Sequence, residues 1–145
     1  MNRELVERLG LTESDIEELV RPVRVEISRR LRLYRGEQAS PQLEGREVIL
    51  IDDGLATGYT MMAAIKSVSR EHPRRLVVAV PVSPATTCGH LRSLVDEVVV
   101  LHEARESCFA VSAFYTNFRD LPDEELVKLL HHKTTPAYKS AQSQS

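Results

Sequence analysis

The chain has 145 residues, 42% of them hydrophobic and 28% charged, which is enough for one packed domain. Its 19 basic and 21 acidic side chains give a net charge of −2, which excludes the electrostatic footprint of a nucleic-acid binder and a basic helix face for anionic membrane. No apolar run approaches roughly 18 residues, Met1 opens no signal-peptide pattern, and Cys88 and Cys108 match no C-x-x-C spacing, so two reduced thiols in a cytoplasmic protein are expected.

Residues 12–35 carry Ile16, Leu19, Val20, Val23, Ile27, Leu31 and Tyr34 at the spacing of one helix face. Thr12 with Asp15 resembles a capping box, and Pro22 is expected to kink this helix or split it in two. Arg21, Arg24, Arg29, Arg30, Arg32 and Arg35 fall on its other face. A solvated face is the expectation there, with a phosphate-gripping surface as the alternative. Residues 36–45, with Pro41, read as a loop. Strand and helix then alternate: strand 47–52, helix about 60–70, strand 76–81, helix about 85–94, strand 97–101. Such alternation implies βαβ units and a parallel sheet, hence an α/β fold. Pro122, followed by Asp123 and Glu124, starts a last helix that ends near His131 and His132. Residues 133–145 are polar and low in complexity, and disorder is expected for them.

The most informative stretch is Val48–Thr60, VILIDDGLATGYT. Four aliphatic residues read as a strand buried on both faces, and open α/β sheets place ligands at the carboxyl ends of such strands. Gly54 and Gly58 let the backbone bend closely around an anion, Thr57 and Thr60 add hydroxyl donors, and the helix that follows points its N–H groups into the same space. Asp52 and Asp53 exclude the commoner phosphate loops. No lysine occurs before Lys66, as a Walker loop would need, and acids stand where a dinucleotide fingerprint has glycines. Carboxylates beside a phosphate cradle suit the hydroxyls of a polyol or a bridging Mg²⁺. Phosphate with vicinal hydroxyls describes a ribose 5-phosphate.

On these residues the chain resembles the type I phosphoribosyltransferase family, whose PRPP-binding signature runs four hydrophobics, two acids and a small-residue Thr-Gly loop. Leu76–Pro84, Val95–His102, Phe114–Phe118 and the helical lead-in from Met1 to Gly36 are similar to a bacterial branch of uncharacterised phosphoribosyltransferases. The resemblance covers nearly all of residues 1–132. It divides them into the lead-in, 1–36, and a PRPP-binding core, 47–132, of a three-layer α/β/α phosphoribosyltransferase-like fold with a mainly parallel sheet. It implies nucleoside metabolism, with the phosphoribosyl group passing from PRPP to a nucleobase-like small-molecule acceptor and pyrophosphate released. Asp52 and Asp53 would be the catalytic pair. Gly54, Leu55, Ala56, Thr57, Gly58, Tyr59 and Thr60 would be the 5-phosphate loop. Mg²⁺ would arrive with PRPP, held mostly by substrate oxygens and water, with no dedicated protein metal site.

The family pattern is departed from in two places. A full type I fold has three strands before the PRPP strand, one of which carries a pyrophosphate loop; nothing before Gly45 reads that way, so an N-terminally incomplete fold is expected. Strand 47–52 is then an edge strand, so either a truncated or mis-started reading frame or a sheet completed by homo-oligomerisation is expected. Second, oxopurine salvage enzymes carry an acid where Ala56 stands, so hypoxanthine or guanine is not the expected acceptor. A non-catalytic ribose-5-phosphate or nucleotide-binding module is the alternative function. An Asp-nucleophile phosphatase fails on spacing, because Gly54 occupies its second acidic position.

Other candidates are weaker. Cys88 and His90 stand two apart on a helix and so face different ways. Adjacent His131 and His132 suit a helix C-terminus better than a metal. Phe114, Tyr115 and Phe118 are read as core packing, with an apolar wall for a base as the alternative.

Overall fold

The computed structural model describes residues 3–105 and 109–131. Cys108, His132 and the segment 133–145 lie outside the described residues. In chain order the elements are α1 (Arg3–Arg8), α2 (Glu13–Arg35), β1 (Glu47–Ile51), α3 (Tyr59–Ser69), β2 (Arg75–Pro84), α4 (Ala85–Arg92), β3 (Glu97–Ala104), a 3-10 turn (Val111–Phe114) and α5 (Asp123–His131). They fall into two compact units: α1, α2 and α5 belong to one, and Ser40–Phe118 to the other.

In the second unit the strands form a parallel sheet in the order β1-β2-β3, with Val48 opposite Leu76 and Val78 opposite Val98. The α/β class and parallel sheet are as expected, and β1 is an edge strand of this sheet. Because side chains alternate along a strand, Val48 and Leu50, Leu76, Val78 and Val80, and Val98 and Val100 share one face. They pack there against Met61 and Ile65 of α3 and Leu91 of α4. Val78 and Leu91 are fully buried, each stabilising the fold by about 1.5–3 kcal/mol. On the other face Ile49, Ile51 and Leu101 are exposed, Leu101 at 84%. At the amino ends of the strands Arg75 pairs with Glu47 of β1 at 2.9 Å and with Glu97 of β3, linking all three.

In the first unit the capping box forms as expected: the Asp15 N–H donates to Thr12 Oγ1 at 3.2 Å, and the Thr12 N–H donates to Asp15 Oδ2 at 2.8 Å. Pro22 does not split α2, which runs unbroken from Glu13 to Arg35. Pro22 removes one N–H donor at an exposed position, where water solvates the carbonyl left over, and the long helical run on each side outweighs that loss. No residue of α2 is fully buried, and Leu19, Val23, Ile27 and Leu31 of its apolar stripe are exposed. Asp123, the first residue of α5, accepts from Tyr34 Oη at 2.5 Å and from Arg29 at 2.6 Å. Arg29 and Arg30 both pair with Glu26 at 2.7 Å, so these two arginines serve an ion-pair network.

Candidate active site

The loop between β1 and α3 is fixed by residues far away in sequence. Parallel pairing puts the carboxyl end of β2 beside that of β1, so Val82 and the residues after it border the loop. The Leu55 N–H donates to the Val82 carbonyl at 3.0 Å, and the Leu55 side chain is buried in the core. This narrows the expected cradle: Leu55 anchors the loop, and its amide is already bonded. One residue on, the Thr87 hydroxyl donates to the Ala56 carbonyl at 2.8 Å.

The acidic pair has its own supports. Asp52 is half-buried and its Oδ1 accepts the Asp53 N–H at 3.0 Å, while Asp53 is exposed. The Tyr115 hydroxyl donates to the Asp53 carbonyl at 2.5 Å. Gly54 follows in a space that admits nothing larger: a Cβ there would stand 2.6 Å from Val111 Cγ1 and 3.0 Å from Val82 Cγ1.

Gly58 caps α3 in the left-handed conformation, φ 74°, with no side chain to bond the helix. The first-turn N–H groups of α3 are therefore left without a side-chain acceptor, beside the exposed Thr57, Tyr59 and Thr60. Orphan donors and the positive dipole end of a helix form an anion site. Asp52 and Asp53 precede it in the chain, with residues 54–57 between them and Gly58.

Phe114, Tyr115 and Phe118 are not core residues, contrary to expectation. They belong to a 3-10 turn and loop too short to bury a helical face, and Phe114 and Phe118 are exposed. Their rings make two separate groups instead: Phe114 lies 5.1 Å from His102 and 5.4 Å from Phe109, and Tyr115 lies 5.3 Å from Phe118. Cys88 is buried and His90 exposed on α4, so they form no pair. His131 is the last residue of α5. Thr87 and Val111 are residues bordering the loop that the sequence did not reveal, and the sequence offered Tyr115 for its ring and not for its hydroxyl. For Thr87 a signal existed, since parallel pairing of the two strands puts whatever follows strand 76–81 beside the loop.

In this α/β fold an acidic pair at the carboxyl end of a parallel strand is followed in the chain by an uncapped helix N-terminus. Residues 9–113 match the family model of the phosphoribosyl transferase domain. The chain is 31% identical over 130 residues to the Mycobacterium tuberculosis protein named "Putative phosphoribosyl transferase Rv0571c", and equally to its counterpart in strain CDC 1551. That alignment covers 90% of this chain and spans 29% of each relative's length. The crystal structure of TT1426 from Thermus thermophilus superimposes with a TM-score of 0.70 at 36% identity, covering 84% of this chain and 58% of that one. The chain belongs to the phosphoribosyl transferase domain family. None of its helices, among the described residues, is long and apolar enough to cross a membrane.

Proposed function

We propose that the chain binds the ribose 5-phosphate part of PRPP and transfers the phosphoribosyl group to a nucleobase-like acceptor with release of pyrophosphate. The observation that supports this is the loop held by Thr87 and Tyr115, which leads from two acidic residues after β1 to the uncapped amino end of α3. The phosphate is taken by first-turn N–H groups of α3 and the hydroxyls of Thr57 and Thr60. Asp52 and Asp53 accept from the ribose 2- and 3-hydroxyls. Their negative charge also favours the oxocarbenium character that develops at C1 as its bond to pyrophosphate lengthens, a stabilisation realised mainly in the transition state. The half-exposed rings after β3 offer a stacking surface for a flat acceptor.

The two carboxylates are the hard oxygen donors that Mg²⁺ prefers. Among the described residues no group of three or more His, Cys, Asp or Glu side chains could hold a metal, so Mg²⁺ would take its remaining ligands from substrate oxygens and water. When bound it screens the charge of pyrophosphate. A cytoplasmic location and self-association through the edge of β1, tested by sedimentation, belong to the same proposal.

The alternative function is a binding module or sensor for ribose 5-phosphate or a nucleotide. Calorimetric titration with PRPP and with ribose 5-phosphate, both with Mg²⁺, separates the two. Markedly tighter PRPP binding supports the transferase. Equal binding of both, abolished by Asp52→Asn/Asp53→Asn, supports the module. Binding of neither contradicts both.

A further inference from the structure

We propose that Tyr115 is a positioning residue for Asp53, locking the peptide that joins the carboxylate pair to the phosphate cradle. This rests on the ribose-5-phosphate reading of the loop. The peptide between Asp53 and Gly54 is the weak point of that loop, because a glycine on its far side lets it rotate at little cost. A ligand that bridges carboxylates and cradle needs the two at a fixed separation. Asp53 is held at both ends of its own backbone. Its N–H donates to Asp52 Oδ1 at 3.0 Å, and its carbonyl accepts the Tyr115 hydroxyl at 2.5 Å, from 62 residues away.

The donor is itself well held. Tyr115 is half-buried, its ring lies 5.3 Å from that of Phe118, and it directly follows the 3-10 turn that puts Val111 against Gly54. Two contacts from one short segment therefore meet two consecutive loop residues: a hydrogen bond fixes the Asp53 carbonyl, and a methyl wall limits movement at Gly54. The segment that bears the exposed aromatic rings is thereby tied to the loop that bears the acids. The Asp53 side chain stays exposed and makes no hydrogen bond to Tyr115, so the tyrosine acts on it through the backbone alone.

The test uses Tyr115→Phe, which keeps the ring and removes only the hydroxyl, in the wild-type and Asp53→Asn backgrounds. Affinity for ribose 5-phosphate reports on carboxylates and cradle together, and affinity for inorganic phosphate, read by chemical-shift titration, reports on the cradle alone. Loss of one neutral hydrogen bond predicts a decrease of about threefold to tenfold for ribose 5-phosphate, with inorganic phosphate changed by less than about twofold. In the Asp53→Asn background the further decrease is expected to be under about twofold, because the positioned carboxylate is already gone. Equal losses in both backgrounds, parallel loss of both ligands, or an unchanged ribose 5-phosphate affinity would each overturn the assignment. Wild-type protein that binds neither ligand would instead overturn the ribose-5-phosphate reading beneath it.

Discussion

The hydroxyl of Thr87 donates to the carbonyl of Ala56 across 2.8 Å, and a Cβ added to Gly58 would stand 2.7 Å from the Cγ2 methyl of the same threonine. One buried side chain near the start of α4 thus meets the loop before α3 on both sides of Thr57. Thr87→Val keeps the shape and removes the donor. It is expected to destabilise the fold by about 0.5–1.5 kcal/mol in urea unfolding and to weaken ribose 5-phosphate binding. Unchanged stability and affinity would mean that the Ala56 carbonyl does not depend on Thr87.

Gly54 makes the companion prediction. A methyl there meets both methyl groups of Val111, at 2.6 and 2.9 Å, so Gly54→Ala is expected to cost about 1–3 kcal/mol by overpacking. Trimming the obstacle should restore part of that loss: Gly54→Ala/Val111→Ala is expected to be more stable than the sum of the single effects implies. Additive effects in a double-mutant cycle would argue against contact between these residues.

The contacts of Asp123 predict a dependence on pH. The hydroxyl of Tyr34, then the guanidinium of Arg29, hold the Asp123 carboxyl below its ordinary range, and Arg29 and Arg30 lower Glu26 from 4.5 to about 2. A depressed carboxylate stabilises the folded state fully above its ordinary pKa and loses that contribution as pH falls through the lowered one. For Glu26 the window runs from 4.5 down to about 2. The protection of α5 amides, after correction for the intrinsic pH dependence of exchange, is therefore expected to fall as pH drops below the ordinary range of Asp123, by an amount that shrinks with added salt because the groups are solvent-accessible. Asp123→Asn should flatten that response. The same slope in the variant would contradict the assignment.

The sheet was legible because its chemistry is local. Val48–Ile51 and Leu76–Val80 are unbroken aliphatic runs, and strand 47–52 differs from β1 by one residue. Strand 76–81 stops short of β2, which continues to Pro84 because Val82 and Ser83 still pair with His102 and Glu103 beyond Pro81. Helix α1 and the 3-10 turn lack a periodic face long enough to register. The acidic pair and both loop glycines could be read directly, since the chain itself brings them together. Thr87 and Tyr115, 31 and 62 residues from the loop atoms they bond, reach the loop only through folding.

The central claim is that the turn into α3 holds a sugar phosphate, and amide chemical shifts test it most directly. In a ¹⁵N-labelled chain titrated with ribose 5-phosphate, the largest shifts are expected at the amides of Ala56 to Met61 and at Asp53. Residues of α2 are expected to stay unmoved, and Asp52→Asn/Asp53→Asn should abolish the response at Asp53 while a phosphate response persists at the amino end of α3. Shifts confined to other residues, or none at ligand concentrations well above those of a working site, would contradict the account.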